Sequence, residues 1–96
     1  MTLFTKSRIG VSLPMLNQPY ERYAEFAALA EDAGFDSVWD YEFYRNPYTG
    51  LAPAALNTDR ITLATGCAIA FTRMPFTTAN AIADIDEMSG GRALLT

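Results

Sequence analysis

An uncharged run of ten residues lies in the middle of the chain, Ile61-Thr62-Leu63-Ala64-Thr65-Gly66-Cys67-Ala68-Ile69-Ala70. Charged residues bound it on both sides, with Asp59-Arg60 before it and Arg73 shortly after it. A strand that is apolar on both faces, rather than at alternate positions, is typical of parallel sheets covered by helices. The run therefore predicts a buried strand of such a sheet. Gly66 near its far end predicts a bend, a bulge or a close approach by another molecule.

The composition limits the protein to one small domain or a part of one. The chain has 96 residues, half of them hydrophobic, which is enough for a core but short for a complete α/β enzyme. A net charge of -4 and seven scattered Lys and Arg residues argue against nucleic-acid binding. No window approaches the roughly 20 apolar residues of a membrane span, and the N-terminus lacks the apolar region of a signal peptide. We therefore expect a soluble, cytoplasmic protein without nucleic-acid or membrane partners.

The counts of cysteine and histidine restrict the chemistry. Cys67 is the one cysteine, so the chain has no disulfide framework. Its place inside the uncharged run predicts a small buried side chain rather than a reactive thiolate. The chain has no histidine, which removes Ser-His and Cys-His nucleophiles and most zinc sites, and no metal is expected. Proton transfer by this chain would need a carboxylate, a tyrosine or Cys67.

The first third of the chain predicts a strand and an amphipathic helix. Residues 8–13 form a short β-type run that ends at Pro14, because proline cannot donate to a ladder. Apolar residues at helical spacing predict a helix over residues 20–33, with Glu31 among the charged residues mostly on its solvent side. Gly34 fits the left-handed residue that ends such a helix.

The remaining chain continues this alternation of strands and helices. Residues 35–39 predict a second strand, and residues 49–57 predict a short helix in which Pro53 is tolerable only in the first turn. A proline at the start of 75–88 fits the first position of a third helix, whose buried side would consist of Ala79, Ile82, Ala83, Ile85 and Met88. Residues 92–95 begin a fourth strand.

The β-α-β-α-β-α-β order predicts parallel strands joined by right-handed crossovers. Two architectures share this pattern. One is a doubly wound sheet with helices on both faces, and the other is a (β/α) barrel in which consecutive strands are neighbours. The glycine-rich fingerprint of a dinucleotide-binding sheet is missing, because Gly10 is followed by Val11-Ser12-Leu13. The pattern of elements alone does not choose between the two.

Three motifs resemble one known family in order and spacing. They are Thr58-Asp59-Arg60-Ile61-Thr62-Leu63-Ala64-Thr65-Gly66, Thr72-Arg73-Met74-Pro75 and Ile85-Asp86-Glu87-Met88-Ser89-Gly90-Gly91-Arg92-Ala93-Leu94-Leu95. Together they resemble the bacterial-luciferase-like family of flavin- and deazaflavin-dependent oxidoreductases, over essentially the whole chain. The third helix, with Thr78-Ala79-Asn80-Ala81-Ile82-Ala83, is most similar to the branch that contains methylene-tetrahydromethanopterin reductase, which uses the deazaflavin coenzyme F420.

The resemblance implies a TIM-type (β/α)8 barrel. A complete barrel takes about 250 residues and eight strands, so residues 1–96 would form its N-terminal half, with parallel strands in the order 1-2-3-4. We therefore expect a partial luciferase-like barrel domain that is inactive alone. The full-length parent is expected to be a homo-oligomer.

The resemblance also implies an active site at the C-terminal ends of the strands. Leu13-Pro14-Met15, Tyr41-Glu42-Phe43-Tyr44 and Gly66-Cys67-Ala68 would then lie at the mouth. Deazaflavin members of the family carry a bulge with a non-prolyl cis peptide at the end of strand three, and it aligns with Gly66-Cys67. The implied coenzyme-binding residues are Thr65, Gly66, Cys67 and Ala68. The alternative for Gly66 is a plain strand end.

Glu42 is the candidate catalytic residue. Many relatives have an Asp-His pair just after strand two, where this chain has Glu42 and Phe43, so the carboxylate is kept and the imidazole is lost. Glu42 would contact the coenzyme or transfer a proton, or else be a solvated loop acid. The methylene-tetrahydromethanopterin reductases have a glutamate where this chain has Ser12, which leaves the substrate open.

Other side chains near the predicted mouth have two interpretations each. The aromatic residues after strand two would line a flat ring or roof the barrel; they are Tyr41, Phe43, Tyr44 and Tyr48. Arg73 would bind an anionic group or form an ion pair. Asp86 and Arg92 flank the Ser-Gly-Gly turn and are interpreted as a structural pair.

The function that the resemblance implies is hydride transfer between reduced F420 and a small organic substrate. An FMN-dependent monooxygenase of the same family is the alternative. From a different class, a non-catalytic half-barrel would act by association with another chain.

Overall fold

The computed structural model describes residues 8–13, 17–43 and 45–96. Its sheet consists of β1 (Gly10–Ser12), β2 (Ser37–Asp40), β3 (Thr62–Thr65) and β4 (Ala93–Leu94), all parallel and paired in that order. The helices are α1 (Tyr20–Asp32), α2 (Pro47–Leu56) and α3 (Pro75–Ser89), with a single 3₁₀ turn at Ala70–Thr72. The predicted order of elements and the predicted strand order 1-2-3-4 are confirmed.

The three helices form one layer on one face of the sheet. Helix α1 packs against α2, and α2 packs against α3, while α1 and α2 also contact the strands beneath them. Val38 and Leu63, at paired positions of β2 and β3, are fully buried in the core. The opposite face is open, and a groove of about 680 Å³ lies on it beside Trp39 and Thr62. This arrangement is that of a (β/α) barrel and excludes a doubly wound sheet.

The uncharged run leaves the sheet earlier than predicted. β3 ends at Thr65, and Cys67, Ile69 and Ala70 are exposed. The prediction of a buried Cys67 is therefore wrong. The absence of charge extends through a loop as well as a strand, so hydropathy alone placed the end of the strand five residues too late.

Glu31 is buried, with 6% of its surface exposed, whereas the sequence predicts it on the solvent side of α1. Its carboxylate accepts hydrogen bonds from the main-chain N–H groups of Asp59 at 3.0 Å, Arg60 at 2.6 Å and Ile61 at 2.8 Å. Burial raises the pKa of Glu31, but the hydrogen bonds from these three N–H groups lower it by more. The pKa of Glu31 is therefore below its ordinary value. Glu31 therefore fastens the end of α1 to the start of β3.

Helix α2 begins earlier than predicted because of a capping residue. The Asn46 side chain accepts a hydrogen bond from the Tyr48 N–H at 2.9 Å, and Pro47 occupies the first helical position. Pro53 consequently lies inside the helix rather than in its first turn, so that expectation is wrong. The contacts of α2 with both neighbouring helices and the sheet outweigh the main-chain hydrogen bond that a proline removes.

Helix α3 begins at Pro75 as predicted and ends in a left-handed Gly90, whose φ is 69°. The Gly91 N–H donates to the Asp86 carbonyl at 2.8 Å, which closes the last turn. Only part of the predicted apolar side is buried. Ile85 lies in the core and Ile82 packs against it, whereas Ala79, Ala83 and Met88 are exposed. They are exposed because α3 is the last helix of the layer in the described residues.

Arg92 and Asp86 have structural roles, but they do not pair with each other. The Arg92 guanidinium donates instead to main-chain carbonyls, those of Ser89 at 2.6 Å, Ile61 at 2.7 Å, Thr58 at 2.8 Å and Ala55 at 3.1 Å. Asp86 accepts from the Ala93 N–H at 3.2 Å. The predicted pair is therefore wrong, because the free carbonyls at the end of α2 attract the guanidinium.

Asp40 brings a carboxyl group into the interface between the sheet and the helices. It is the last residue of β2, is 2% exposed, and accepts a hydrogen bond from the Tyr41 N–H at 2.9 Å. A Cβ at Gly50 of α2 would lie 1.9 Å from Asp40 Oδ2 and 2.8 Å from the ring of Tyr23, so only glycine fits there. Burial raises the pKa of Asp40 to about 7, although the Tyr41 N–H and the charge of Arg45 lower it in part.

Replacing Glu31 should weaken the fold markedly. Glu31→Ala removes the acceptor of three N–H groups, and we expect it to lower the free energy of unfolding by about 3 kcal/mol. Urea denaturation of the chain measures this change. Asp32→Ala, which removes the neighbouring exposed acid, is the control and should change the free energy of unfolding little. Equal effects of the two substitutions would contradict the assigned role of Glu31.

Replacing Asp40 should change how stability depends on pH. A carboxyl group whose pKa is raised in the folded state stabilises the fold fully below its ordinary pKa of 3.8, and this contribution is lost as the pH rises to about 7. In that range the free energy of unfolding of the wild type, relative to Asp40→Asn, should fall by up to about 1.4 kcal/mol per pH unit. Urea denaturation at several pH values measures the slope. The exposed Asp84→Asn is the control. Parallel pH profiles of wild type and Asp40→Asn would contradict a raised pKa.

Candidate functional site

The ends of β2 and β3 lie side by side, and their pairing continues beyond the strands. Asp40 is the register partner of Thr65. The Gly66 N–H then donates to the Asp40 carbonyl at 2.7 Å, and the Glu42 N–H donates to the Cys67 carbonyl at 3.1 Å. The structure therefore brings Glu42 together with the predicted coenzyme-binding segment at the C-terminal edge of the sheet.

The Gly66–Cys67 peptide is cis, as the resemblance implied. Gly66 also has a close neighbour, because a Cβ there would lie 2.6 Å from Cε3 of Trp39. The other edge of the same indole reaches β1, where a Cβ at Gly10 would lie 2.5 Å from Trp39 Nε1. The Trp39 N–H donates to the Ser37 hydroxyl at 2.7 Å, which fixes the ring. Gly66 is thus more than a plain strand end, and the group that approaches it is the chain's own Trp39 ring rather than another molecule.

Thr96 holds the segment that follows the cis peptide. The buried Thr65 hydroxyl donates to the Thr96 carbonyl at 3.0 Å and accepts from the Thr96 N–H at 2.9 Å, and the Thr96 hydroxyl donates to the Thr65 carbonyl. The Ala68 N–H donates to the Thr96 carbonyl at 2.9 Å. The four predicted coenzyme-binding residues differ in exposure. Gly66 and Cys67 are exposed, Ala68 is half-buried, and the Thr65 side chain is buried.

Glu42 forms a two-point ion pair with Arg73. The guanidinium Nη2 lies 2.7 Å from Oε2 and Nη1 lies 2.9 Å from Oε1, and the side chains of Glu42 and Arg73 are 13% and 14% exposed. The Ile69 N–H donates to the same Oε1 at 2.8 Å. The hydrogen bond from Arg73 lowers the pKa of Glu42 below its ordinary value, although burial raises it in part. Glu42 is thus not a solvated loop acid, and Arg73 forms the predicted ion pair.

The aromatic residues after β2 separate into different environments. Tyr48 is buried, its ring lies 5.1 Å from the Arg73 guanidinium carbon, and its hydroxyl lacks a hydrogen-bond partner in the described part of the chain. Phe43 is 72% exposed and Tyr41 is half-buried. Tyr44 lies outside the described residues. The described members therefore do not form one continuous wall, and Tyr48 belongs to the core.

The end of β1 contributes to the mouth only in part. Leu13 is buried and its N–H donates to the Trp39 carbonyl at 2.9 Å, while Ser12 is exposed. Pro14 and Met15 lie outside the described residues, and so does the predicted end of the strand at Pro14.

Sequence reasoning missed several residues that build this site. The sequence pattern assigns Trp39 only to a strand. In the structure its ring lies between Gly10 and Gly66 and shapes the end of β3. Arg45 was also missed. Its guanidinium donates to the Gln18 carbonyl at 2.6 Å and lies 4.7 Å from the ring centre of Tyr20, which joins the loops after β1 and β2. The signal that could have indicated it is an arginine in one loop together with an aromatic residue that opens the preceding helix.

The segment after β3 has space for a flat ligand. A cavity of about 490 Å³ lies between this segment and the first turns of α3, and small or apolar side chains line it, among them Ala68, Ile69, Thr78 and Leu95. This volume is in the usual range of small-molecule sites. The glycine and two small residues at 66–68 leave their main chain accessible to a planar ring. The residues present therefore fit the coenzyme that the resemblance implies.

Residues 8–13, 17–43 and 45–96 lack two further features. No group of three His, Cys, Asp or Glu side chains there is arranged to hold a metal ion. No helix in this part of the chain combines the length and apolar character needed to cross a membrane.

Comparison with known proteins confirms the resemblance read from the motifs. The chain is 42% identical over 81 residues to 5,10-methylenetetrahydromethanopterin reductase of Methanolobus tindarius, an alignment that covers 82% of this chain and 25% of that protein. The coenzyme F420 dependent tetrahydromethanopterin reductase of Methanopyrus kandleri matches its structure with a TM-score of 0.84 at 33% identity, over 92% of this chain and 26% of that one.

A monooxygenase of Streptomyces bottropensis has a similar structure. Its TM-score is 0.81 at 27% identity, over 93% of this chain and 32% of that one. The chain spans about a quarter of the length of the curated relatives it matches. The model of the luciferase-like monooxygenase family matches residues 1–96, and the neighbouring structures of this family are TIM barrels. The chain, with its four parallel strands in barrel order, therefore belongs to the luciferase-like monooxygenase family.

Proposed function

We propose that the chain is part of an oxidoreductase that binds coenzyme F420 at the ends of β2 and β3 for hydride transfer to a small organic substrate. The observation that carries this proposal is the segment Gly66–Ala68, which the paired ends of β2 and β3 hold in place, with Gly66 and Cys67 exposed and Ala68 lining a cavity of about 490 Å³. Two relatives support the choice of coenzyme. One is a methylenetetrahydromethanopterin reductase, and the other is a reductase whose name states its dependence on F420.

The residues that would hold the ring are those implied by the resemblance. Gly66, Cys67 and Ala68 offer accessible main chain and small side chains to a planar ring. Thr65 would support the ring indirectly, because the hydrogen bonds between its hydroxyl and the Thr96 main chain fix the start of the segment. Trp39 packs against Gly66 from the inner face of the sheet and prevents the segment from moving inward.

When bound in its reduced form, F420 supplies the hydride, and the protein supplies orientation and electrostatics. The fixed main chain at 66–68 would orient the ring against the substrate, and the apolar lining of the cavity would exclude water. Glu42, the candidate catalytic residue of the sequence, lies at the edge of this site in its ion pair with Arg73. Its carboxylate is ionised at neutral pH, because its pKa is lowered.

The second candidate is an FMN-dependent monooxygenase of the same family. The structural likeness to a monooxygenase of Streptomyces bottropensis favours it. The segment Gly66–Ala68 would contact the planar ring of FMN in the same way.

A third candidate is a half-barrel that acts by association. Large apolar side chains are exposed after β3, with Phe71 99%, Met74 73% and Phe76 76% exposed. We propose that such surfaces are covered in a homo-oligomeric full-length parent. The other proposed partners of that parent are a small-molecule substrate and the coenzyme.

Coenzyme binding should protect Cys67 and change the fluorescence of Trp39. The chain has one cysteine and one tryptophan, so both probes are site-specific. F420 at about ten times its Kd should slow the reaction of Cys67 with N-ethylmaleimide by about tenfold, and prior alkylation should abolish the fluorescence change. NAD, as a non-cognate coenzyme, and free glutathione, as a thiol outside the protein, are the controls. Protection by FMN but not F420 would favour the monooxygenase, and protection by neither would contradict both.

The chain by itself should not catalyse. Because it supplies four of the eight strands of a barrel, we expect no oxidation of reduced F420 with methylenetetrahydromethanopterin above the rate without protein. The full-length reductase of Methanopyrus kandleri serves as the positive control of the assay. A monomeric, cooperatively unfolding chain with redox activity would contradict this expectation, whereas obligate dimers or larger assemblies without activity would favour the association candidate.

A further inference from the structure

We propose that Glu42 is a positioning residue: together with Arg73 it clamps residues 67–73 onto the end of β2, and it neither contacts the coenzyme nor transfers a proton. This inference deepens the proposed function and, in its consequence for coenzyme binding, rests on it. The clamp itself is a statement about the structure of this chain and is tested separately.

The hydrogen-bonding capacity of Glu42 is directed into the chain. Oε1 accepts from the Ile69 N–H at 2.8 Å and from Arg73 Nη1 at 2.9 Å, and Oε2 accepts from Arg73 Nη2 at 2.7 Å. The Glu42 N–H donates to the Cys67 carbonyl at 3.1 Å. The Thr72 hydroxyl also donates to Oε1, at 3.5 Å, so one residue just after β2 bonds to four residues of the segment after β3. A carboxylate held by a two-point guanidinium pair and a main-chain N–H has little capacity left for a ligand.

Arg73 is fixed from two further directions. Its Nη1 also contacts the Thr72 hydroxyl at 3.0 Å, and its guanidinium carbon lies 5.1 Å from the centre of the Tyr48 ring, in the first turn of α2. Because the two side chains are only 13% and 14% exposed, water competes weakly for their charges. The charge of Arg73 is therefore used to hold Glu42, and it does not serve as a free site for an anion.

The clamp and Thr96 hold neighbouring residues of the segment independently. Glu42 holds the Cys67 carbonyl and the Ile69 N–H, while the Ala68 N–H between them is held by the Thr96 carbonyl at 2.9 Å. Loss of the Glu42 carboxylate should therefore release Ile69 and the residues that lead to α3, but leave Ala68 attached. This difference between adjacent amides separates the clamp from a general loss of stability.

Hydrogen exchange on the 96-residue chain tests the clamp directly. In Glu42→Ala the Ile69 amide should exchange at least about tenfold faster, whereas the Ala68 amide should keep its rate. Glu42→Gln keeps an oxygen acceptor for Ile69 but loses the charge that pairs with Arg73, so its effect should be intermediate. Glu25→Ala is the matched control, because it removes the exposed Arg22–Glu25 ion pair, whose side chains are 61% and 62% exposed. Unchanged exchange at Ile69, or equal acceleration at Ala68, would overturn the clamp.

A double-substitution cycle tests whether the two side chains act as one unit. Because each single substitution already breaks the ion pair, the acceleration of Ile69 exchange in Glu42→Ala/Arg73→Ala should be well below the product of the two single effects. Independent, multiplying effects would overturn the pairing. Arg73→Lys, which keeps the charge but loses the two-point geometry, should restore part of the protection that Arg73→Ala loses.

Protection of Cys67 by F420 then tests the consequence for function. Glu42→Ala and Arg73→Ala should weaken this protection alike, since both release the segment, and Glu25→Ala should not weaken it. If F420 protects the wild type and Glu42→Ala loses protection without faster exchange at Ile69, Glu42 contacts the coenzyme directly and the inference is overturned. If neither F420 nor FMN protects the wild type, the proposed function fails, and the exchange rates still decide whether the clamp exists.

Discussion

The main-chain ladder between β2 and β3 determines where the other parts of the molecule lie. It aligns Ser37–Asp40 with Thr62–Thr65, and two further hydrogen bonds extend it past the end of β3 to Cys67. Because the strands are parallel, their carboxyl ends reach the same edge, and the chain must cross over on the outside to return to the start of the next strand. The single layer of helices and the site at one edge both follow from this pairing.

A carboxylate lies near each end of β3, and the two carboxylates differ in the groups that compensate their charge. At the start of the strand, the Glu31 carboxylate binds three main-chain N–H groups, and the Arg60 guanidinium donates to the Glu31 main-chain carbonyl. At the end, Glu42 is neutralised by Arg73. A buried carboxylate is stable only if such donors compensate its loss of hydration. One carboxylate therefore secures the start of β3, and the other secures the segment that follows its end.

The order of elements could be predicted from the sequence, because periodicity and capping residues are local properties. Gly34 has the expected positive φ, and Pro75 begins α3. The cis peptide was implied by resemblance alone, since no local property of Gly66-Cys67 indicates it. The environments of Glu31 and Cys67 were not predictable. Whether a residue is buried depends on what the chain places beside it, and both predictions used only the properties of neighbouring residues in the sequence.

The candidate site was located by sequence, but its internal geometry was not. The resemblance placed Glu42 and residues 65–68 at one edge, and the structure brings them together there. The partner of Glu42 lies 31 residues away, and either an ion pair or an anion site was compatible with Arg73 in the sequence. Only the structure shows which atoms meet, because side-chain pairing across two loops depends on the register of the strands below them.

The Trp39 indole, wedged between Gly10 and Gly66, links the outermost strand to the end of β3 through a single rigid body. The two glycines and the tryptophan can therefore vary only as a set. A smaller residue in place of the indole would leave room for a side chain at both glycines. A side chain added at Gly10 would push the ring toward Gly66. A substitution on β1 would in this way alter the shape of the surface where chemistry would take place.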